Sequence, residues 1–387
     1  MMYRPSRVCA AIALTLFSAA ATAQTPVRCA AIGDSLTDEY AEQTYGNIAK
    51  SWTQILVDTG RADFGPTAEQ ANVVYWGEPR RTGYRDNWAR YSDTTEYGTN
   101  HGQHIGAAQS VTVHGAHYVV VFIGGNDFNR YIGQAYMNTY DGTWTQAQSF
   151  AYADEVVARI RTMVDALDGT GAKIVIASPL DFNFMGFLRN GLFNRESRER
   201  VTTMVARCRD GVRALAAQKQ AVFLDMFRLN IDLYGGNFGF RDQVLVGNTP
   251  ITMQQGGETG AFGFVTDGVH PQRVIQSIWA EAFLTAMNAG FEAGIPDISE
   301  QEMLQIGGLT YGGSDTLNTV LKPMRFYVQD FACPADFNVD RTVSVQDLFD
   351  FLNAFFTSDM KADINGSNTL SQQDLFDFLS GYFAGCA

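Results

Sequence analysis

Cysteine is scarce, with 5 in 387 residues, too few for the dense crosslinking of a disulfide scaffold. Basic side chains are also in short supply: 28 Lys+Arg stand against 41 Asp+Glu, a formal net charge of -13. That balance excludes the clustered positive surface by which proteins hold nucleic acid or anionic membranes. No segment reaches the roughly 18 uninterrupted apolar residues of a bilayer-spanning helix. Histidine, with 5 copies, confines metal-centred chemistry to a few places. What is abundant is apolar surface: 46% hydrophobic residues, with 27 Phe and 16 Tyr, exclude a disordered chain. Single cores stop growing at about 250–300 residues, so one enzyme-sized domain and a small remainder are expected.

The N-terminus reads as an export signal. Arg4 and Arg7 precede an apolar stretch from Val8 to Ala20, and Ala21-Thr22-Ala23 supplies the small residues of a cleavage site. Residues 1–23 are therefore expected to be removed and the protein to be secreted, periplasmic or held at the cell surface, with no transmembrane anchor. Cys29, Cys208, Cys333 and Cys386 remain. In an oxidising compartment four cysteines allow three pairings. Cys333 with Cys386 is favoured because the two bracket one acidic segment, and Cys29 with Cys208 is the weaker alternative.

Continuous apolar runs of strand length occur at Val27 to Ile32, Tyr118 to Ile123, Ala172 to Ser178 and Ala221 to Met226, with a further strand expected near Asp86 to Arg90. Between them Phe150 to Leu167, Arg195 to Lys219 and Gln272 to Asn288 carry apolar residues at helical spacing. Strands apolar on both faces imply burial between helices, as in a parallel sheet. The expectation for residues 24–292 is an α/β fold, a three-layer α/β/α sandwich with a parallel five-stranded sheet. Asn129 to Ser149 and the Gly-rich stretch Tyr234 to Phe264 read as inserts on the substrate side. Residues 293–332 lack a period and read as a linker or partly ordered extension.

Three short motifs carry chemistry, and their order strengthens each. Gly33-Asp34-Ser35-Leu36 closes the first strand. A serine there stands at the carboxyl edge of the sheet, where open α/β folds bind ligands, and a following helix N-terminus would favour a developing anion. Asp267-Gly268-Val269-His270 comes near the end of the large domain. Its spacing lets Asp267 accept from His270 Nδ1 and leaves Nε2 to take the Ser35 proton. Gly124-Gly125-Asn126-Asp127 closes the central strand, and the Asn126 amide can donate to an oxyanion. Taken singly, such tripeptides are more often turns or helix caps.

Together these blocks resemble the SGNH (GDSL-type) hydrolase family of esterases and lipases. The altered stretch Asn87-Trp88-Ala89-Arg90-Tyr91-Ser92-Asp93-Thr94 is similar to the family's second block, with Ser92 where glycine is usual. The resemblance implies Ser35, His270 and Asp267 as catalytic residues, and Ser35, Ser92 and Asn126 as the oxyanion hole. Gly77 and Gly83 are alternative second-block donors. It implies the flavodoxin-like sandwich named above and a carboxylic ester hydrolase acting through an acyl-enzyme, with no cofactor for catalysis. The other histidines form two pairs, His101 with His104 and His114 with His117, whose spacing offers a rival zinc hydrolase.

Beyond Cys333 the chain repeats itself. Gln346-Asp347-Leu348-Phe349-Asp350-Phe351-Leu352 recurs as Gln373-Asp374-Leu375-Phe376-Asp377-Phe378-Leu379. Before each copy, oxygen-bearing side chains fall at positions 1, 3, 5 and 12 of a calcium loop: Asp336, Asn338, Asp340 and Asp347, then Asp363, Asn365, Ser367 and Asp374. Ser367 carries one charge fewer, so the second loop is expected to bind calcium more weakly. Residues 333–387 resemble the cysteine-closed dockerin type I domains of exported planctomycete proteins. The resemblance implies a small all-α domain holding structural calcium, closed by Cys333–Cys386, with a cohesin-like or cell-surface protein partner. Two functions of different class follow. One is a secreted serine esterase for a small ester or an acylated carbohydrate; the other is a non-catalytic scaffold-binding protein with a vestigial triad.

Overall fold

The computed structural model describes residues 25–69, 82–185, 194–236, 239–256, 258–329, 335, 337, 343–359, 362–364 and 369–384. The signal segment, Gly77, both tail cysteines, and Asp336, Asn338, Asp340, Asn365 and Ser367 lie outside them.

The strands in chain order are β1 (Val27–Gly33), β2 (Ala62–Asp63), β3 (Thr67–Glu69), β4 (Thr82–Tyr84), β5 (Tyr118–Phe122), β6 (Lys173–Ala177), β7 (Val222–Leu224), β8 (Gln243–Val246), β9 (Thr249–Gln255), β10 (Phe262–Phe264) and β11 (Val328–Gln329). The main sheet runs β11-β7-β6-β5-β1-β2. β2, β1, β5, β6 and β7 are parallel. β5 is buried along its whole length, as a strand covered on both faces must be. Helices Trp52–Asp58 and Arg273–Phe291 pack on one face; Gln103–Thr112, Gln146–Asp165 and Arg195–Gln218 pack on the other.

The sheet departs from the sequence expectation in two ways, and one insert carries strands of its own. The sheet is mixed and six-stranded, because β11 joins β7 antiparallel. The fifth parallel strand is Ala62–Asp63, whereas residues 86–90 make only an isolated bridge from Asn87 to Ala31. That segment still tracks β1, with Trp88 N donating to Ala31 O at 2.8 Å and Arg90 N to Gly33 O at 3.2 Å. At Asn87 the backbone closes a turn, N donating to Tyr84 O at 3.1 Å, and the side-chain amide donates to the Thr37 carbonyl at 3.0 Å. The stretch Tyr234 to Phe264, read as an insert, builds its own three-stranded sheet, β10-β9-β8.

The stretch expected to be a linker or partly ordered extension is ordered through residue 329. Its helix Glu300–Ile306 and the buried Ile295, Ile298, Met303, Leu304, Leu317, Leu321 and Tyr327 belong to the main core. Backbone hydrogen bonding replaces periodicity here. The Glu300 carboxylate accepts from the amides of Gly247, Thr316 and Leu317, and Glu281 accepts from Ile298 N at 2.5 Å. Arg61 clamps Glu302 with two hydrogen bonds, at 2.6 and 2.8 Å.

In the C-terminal repeat, helices Val345–Phe356 and Gln372–Ala384 meet through Phe351 and Phe378, whose rings stack 4.0 Å apart at 2°. Each helix begins the same way. Ser344 N donates to Asp347 Oδ2 and Ser371 N to Asp374 Oδ2, both at 2.8 Å, the reciprocal cap of a helix start. Asp363 faces Arg228 of the large domain at 3.5 Å, and Asp359 faces Lys322 at 3.0 Å.

Because Leu304 is fully buried in the main core, Leu304→Ala should lower global stability by about 2–5 kcal/mol in one cooperative transition. Denaturant unfolding followed by tryptophan fluorescence measures this. An unchanged midpoint would make residues 293–329 an independent appendage.

Candidate active site

The strand order places β1 beside β5, with later strands added outward from β5 and β2 on the far side of β1. Such a reversal opens a crevice at the carboxyl ends of these two strands. Ser35 follows β1, and Asn126 follows β5.

Gly33 ends β1 where nothing larger fits. A Cβ there would lie 2.7 Å from Thr37 Cβ and 2.8 Å from the Phe122 carbonyl oxygen. After it the chain makes a single turn, not the helix expected from the sequence: Thr37 N and Asp38 N both donate to Asp34 O, at 3.0 and 2.9 Å. The Asp38 carboxylate then accepts from Glu39 N at 2.8 Å and Tyr91 N at 3.0 Å. The chain is thereby drawn toward the loop that carries Ser92. Ser35 is nearly buried, at 7% exposure.

His270 stands at 3% exposure, with Nδ1 2.6 Å from Asp267 Oδ2. Asp267 Oδ1 accepts from Val269 N at 2.8 Å and His270 N at 3.0 Å, so one carboxylate both shapes the loop and orients the imidazole. Burial works to raise the Asp267 pKa. The His270 hydrogen bond, its charge and the two backbone amides outweigh that and leave it below the ordinary carboxylate value. Nε2 of His270 is buried and makes no hydrogen bond among the described residues. Aromatic rings surround the imidazole: Tyr45 at 5.2 Å and Tyr91 at 5.3 Å are nearly parallel to it, and Tyr40 at 5.6 Å is edge-on.

Asn126 lies in a buried turn after Gly124, whose φ of 108° requires glycine. Its Nδ2 donates to Asp93 O at 3.1 Å, and its Oδ1 accepts from Asn129 at 3.1 Å. Its second amide hydrogen has no acceptor among the described residues. Ser92 has φ 65°, the left-handed region that glycine favours, so serine here takes the backbone of the residue it replaces. Of the alternative donors, Gly83 is committed to pairing with Ala68 across β3 and β4.

The histidine pairs do not gather. His101 faces Asp93 at 3.1 Å and His114 faces Asp86 at 2.5 Å, and no cluster of three metal-ligating side chains occurs among the described residues. Cys29 and Cys208 are free and buried.

A family model for GDSL-like lipase/acylhydrolase matches residues 30–283, well over half of the chain. The chain belongs to that family. It is a carboxylic ester hydrolase. No curated protein matches its sequence. Among solved structures it is similar to Axe2, an acetylxylan esterase from Geobacillus stearothermophilus, at 16% identity over 68% of this chain and 94% of that one, with a TM-score of 0.38. An extracellular lipase from Streptomyces rimosus is 18% identical over 57% and 88% of the two chains, with a TM-score of 0.35. A further likeness is to an acylhydrolase from Bacteroides fragilis whose assignment is provisional, at 14% identity over 69% and 90%, again with a TM-score of 0.35.

Sequence reasoning overlooked two features of this acylhydrolase's site. The three tyrosines around His270 come from two segments, Tyr40 and Tyr45 from the connection after β1 and Tyr91 from the Asn87–Thr94 stretch, and only Tyr91 lay inside a motif. Gln103, fully buried at the start of its helix, bonds Gly33 and Asp93, and nothing in the local sequence marks it.

Several buried carboxyls share the molecule with this site. Burial pushes the Asp34 and Glu281 pKa values up to about 7, and those of Asp127 and Asp181 up to about 6. The folded state therefore keeps protons that the unfolded chain releases above the ordinary carboxyl pKa of about 4. Their contribution is complete below that pH and is lost as pH rises through about 6–7. The melting temperature should fall between about pH 4 and pH 7, and Asp34→Asn should reduce the fall. Thermal scans across this range check it, a flat profile in the wild type being the contrary result.

Proposed function

We propose that the protein is an exported serine esterase that works by a Ser-His-Asp mechanism. Ser35 Oγ attacks the ester carbonyl carbon while His270 Nε2 takes its proton. The tetrahedral intermediate collapses to an acyl-Ser35, and the alcohol leaves with that proton. Water, deprotonated by His270, then releases the acid and regenerates Ser35. Asp267 holds the imidazole in the Nδ1–H tautomer and balances the imidazolium charge. The Ser35 and Ser92 amides and the remaining Asn126 N–H receive the oxyanion, each donor contributing about 3–4 kcal/mol to the transition state. The observation that carries this reading is the Asp267–His270 pair, in which the imidazole is buried, the carboxylate reaches solvent, and Nε2 has no hydrogen-bond partner among the described residues.

The substrate we favour is an acyl ester on a polysaccharide, supported by the dockerin-like tail. The reading of that tail as a calcium module has support in its donor chemistry. Asp347 and Asp374 are fully buried carboxylates at equivalent places in the two repeats, and Asp363 is nearly so. An all-oxygen set suits a hard cation. Asp336, Asn338, Asp340 and Asp347 would hold one calcium, and Asp363, Asn365, Ser367 and Asp374 the second. The metal's part would be to brace the loops, away from the reaction. Phe349 and its repeat counterpart Phe376 are both 61% exposed, which favours a protein partner such as a cohesin-like receptor. Export rests on residues 1–23; no helix among the described residues is long and apolar enough to cross a membrane.

Ser35→Ala should reduce hydrolysis of p-nitrophenyl acetate by about 10⁴-fold or more with the circular dichroism spectrum unchanged. Turnover at the wild-type rate would reject the mechanism. EDTA should lower the melting temperature of the full-length protein reversibly while hydrolysis continues. Activity lost on chelation and restored by zinc would instead favour the histidine pairs.

A further inference from the structure

We infer that Gln103 is a positioning residue that sets the distance between the nucleophile and the oxyanion donors. The inference rests on the assignment of Ser35, Ser92 and Asn126 above. Gln103 Oε1 accepts from Gly33 N at 2.9 Å, and Nε2 donates to Gly33 O at 3.0 Å. One amide thus pairs with both backbone groups of a single β1 residue, as a neighbouring strand would. The second Nε2 hydrogen goes to Asp93 Oδ2 at 2.7 Å. Both donors are spent and the side chain is fully buried, so Gln103 has nothing left to offer a substrate.

What it joins is specific. Gly33 lies just ahead of Ser35. Asp93 follows Ser92, and its carbonyl accepts the Asn126 amide at 3.1 Å. His101 Nδ1 holds the same Asp93 carboxylate from the other side, at 3.1 Å to each oxygen. The serine-bearing strand and both oxyanion donors outside it are therefore referred to one amide group. An oxyanion donor acts only within about 2.7–3.1 Å of the developing charge, and a shift of about 1 Å costs roughly 10²-fold. On the same strand residues 86–88 pair with both backbone groups of Ala31, and at Gly33 the Arg90 N bond to the carbonyl, at 3.2 Å, adds to the Gln103 pair.

The test measures kcat and KM for p-nitrophenyl acetate, and the rate at which a phosphonate probe labels Ser35. The variants are Gln103→Met, of equal length without polar atoms, and Gln103→Glu, which keeps the Gly33 acceptor but donates to nothing when ionised. Each is made alone and with Asn126→Ala. For a positioning residue, kcat and the labelling rate fall about 10–100-fold with KM within about twofold. In the Asn126→Ala background the further loss is smaller than in the wild type, because one of the two donors being positioned is gone. Unchanged kcat in either folded variant would overturn the inference, as would an equal loss in both backgrounds. If Gln103→Met does not fold, Gln103→Glu carries the same comparison. A Ser35→Ala protein that still hydrolyses the ester would instead remove the mechanism on which the inference stands, whatever Gln103 does.

Discussion

The organisation of this protein depends on one constraint of parallel sheets. Strands that run the same way must be joined by crossovers, so all their carboxyl ends lie at one edge. Here β1 and β5 are adjacent, although the chain between them crosses to β2, returns along β1 through residues 86–90 and passes two helices. Ser35 and Asn126 stand at that edge because their strands end there. The second-block segment arrives beside them because its amides bond β1 at Ala31 and Gly33. The Asp267–His270 loop lies just ahead of the helix Arg273–Phe291, which covers the sheet, and its imidazole stacks on Tyr91 of the second-block segment.

Packing that crevice brought unusual electrostatics. Asp34, Asp93 and Asp127 are all buried near the carboxyl edge, in a protein already rich in acid. Each is held by donors: Leu36 N for Asp34, Gln103 and His101 for Asp93, Thr95 N and Oγ1 for Asp127. Their burial keeps the pKa values high, whereas Asp267, bonded to a histidine, is lowered. Carboxyls of the same type thus brace the packed edge with raised pKa values in one place and partner an imidazole with a lowered one in another. Environment separates the two roles.

Much of the fold was legible because buried parallel strands and long amphipathic helices write themselves as apolar runs. β1, β5, β6 and β7, and the helices Gln146–Asp165, Arg195–Gln218 and Arg273–Phe291, lie close to where periodicity puts them. What escaped reading lacks a period. β2 is Ala62–Asp63 and β11 is Val328–Gln329, too short to display alternation. The extension through residue 329 is held by Glu300, Glu281 and Arg61 to groups far away in sequence. The turn after Ser35 was misread as a helix because Asp34 and Asp38 spend their hydrogen bonds on local amides and on Tyr91.

By itself, the sequence determined the three short motifs proposed to carry the reaction and their order, the continuous apolar strands, and the repeat that ends the chain. All of these are local in one dimension: motif, hydropathy run and repeat each fit within a short window. Tertiary structure alone decided which side chains share a site. Tyr40, Tyr45 and Tyr91 enclose His270, and Gln103 reaches across to Gly33, because three-dimensional packing brings together residues that no window contains. The left-handed backbone of Ser92 belongs with these. Serine does not announce a positive φ, and only the close pairing of its neighbours with β1 and Asp38 imposes one.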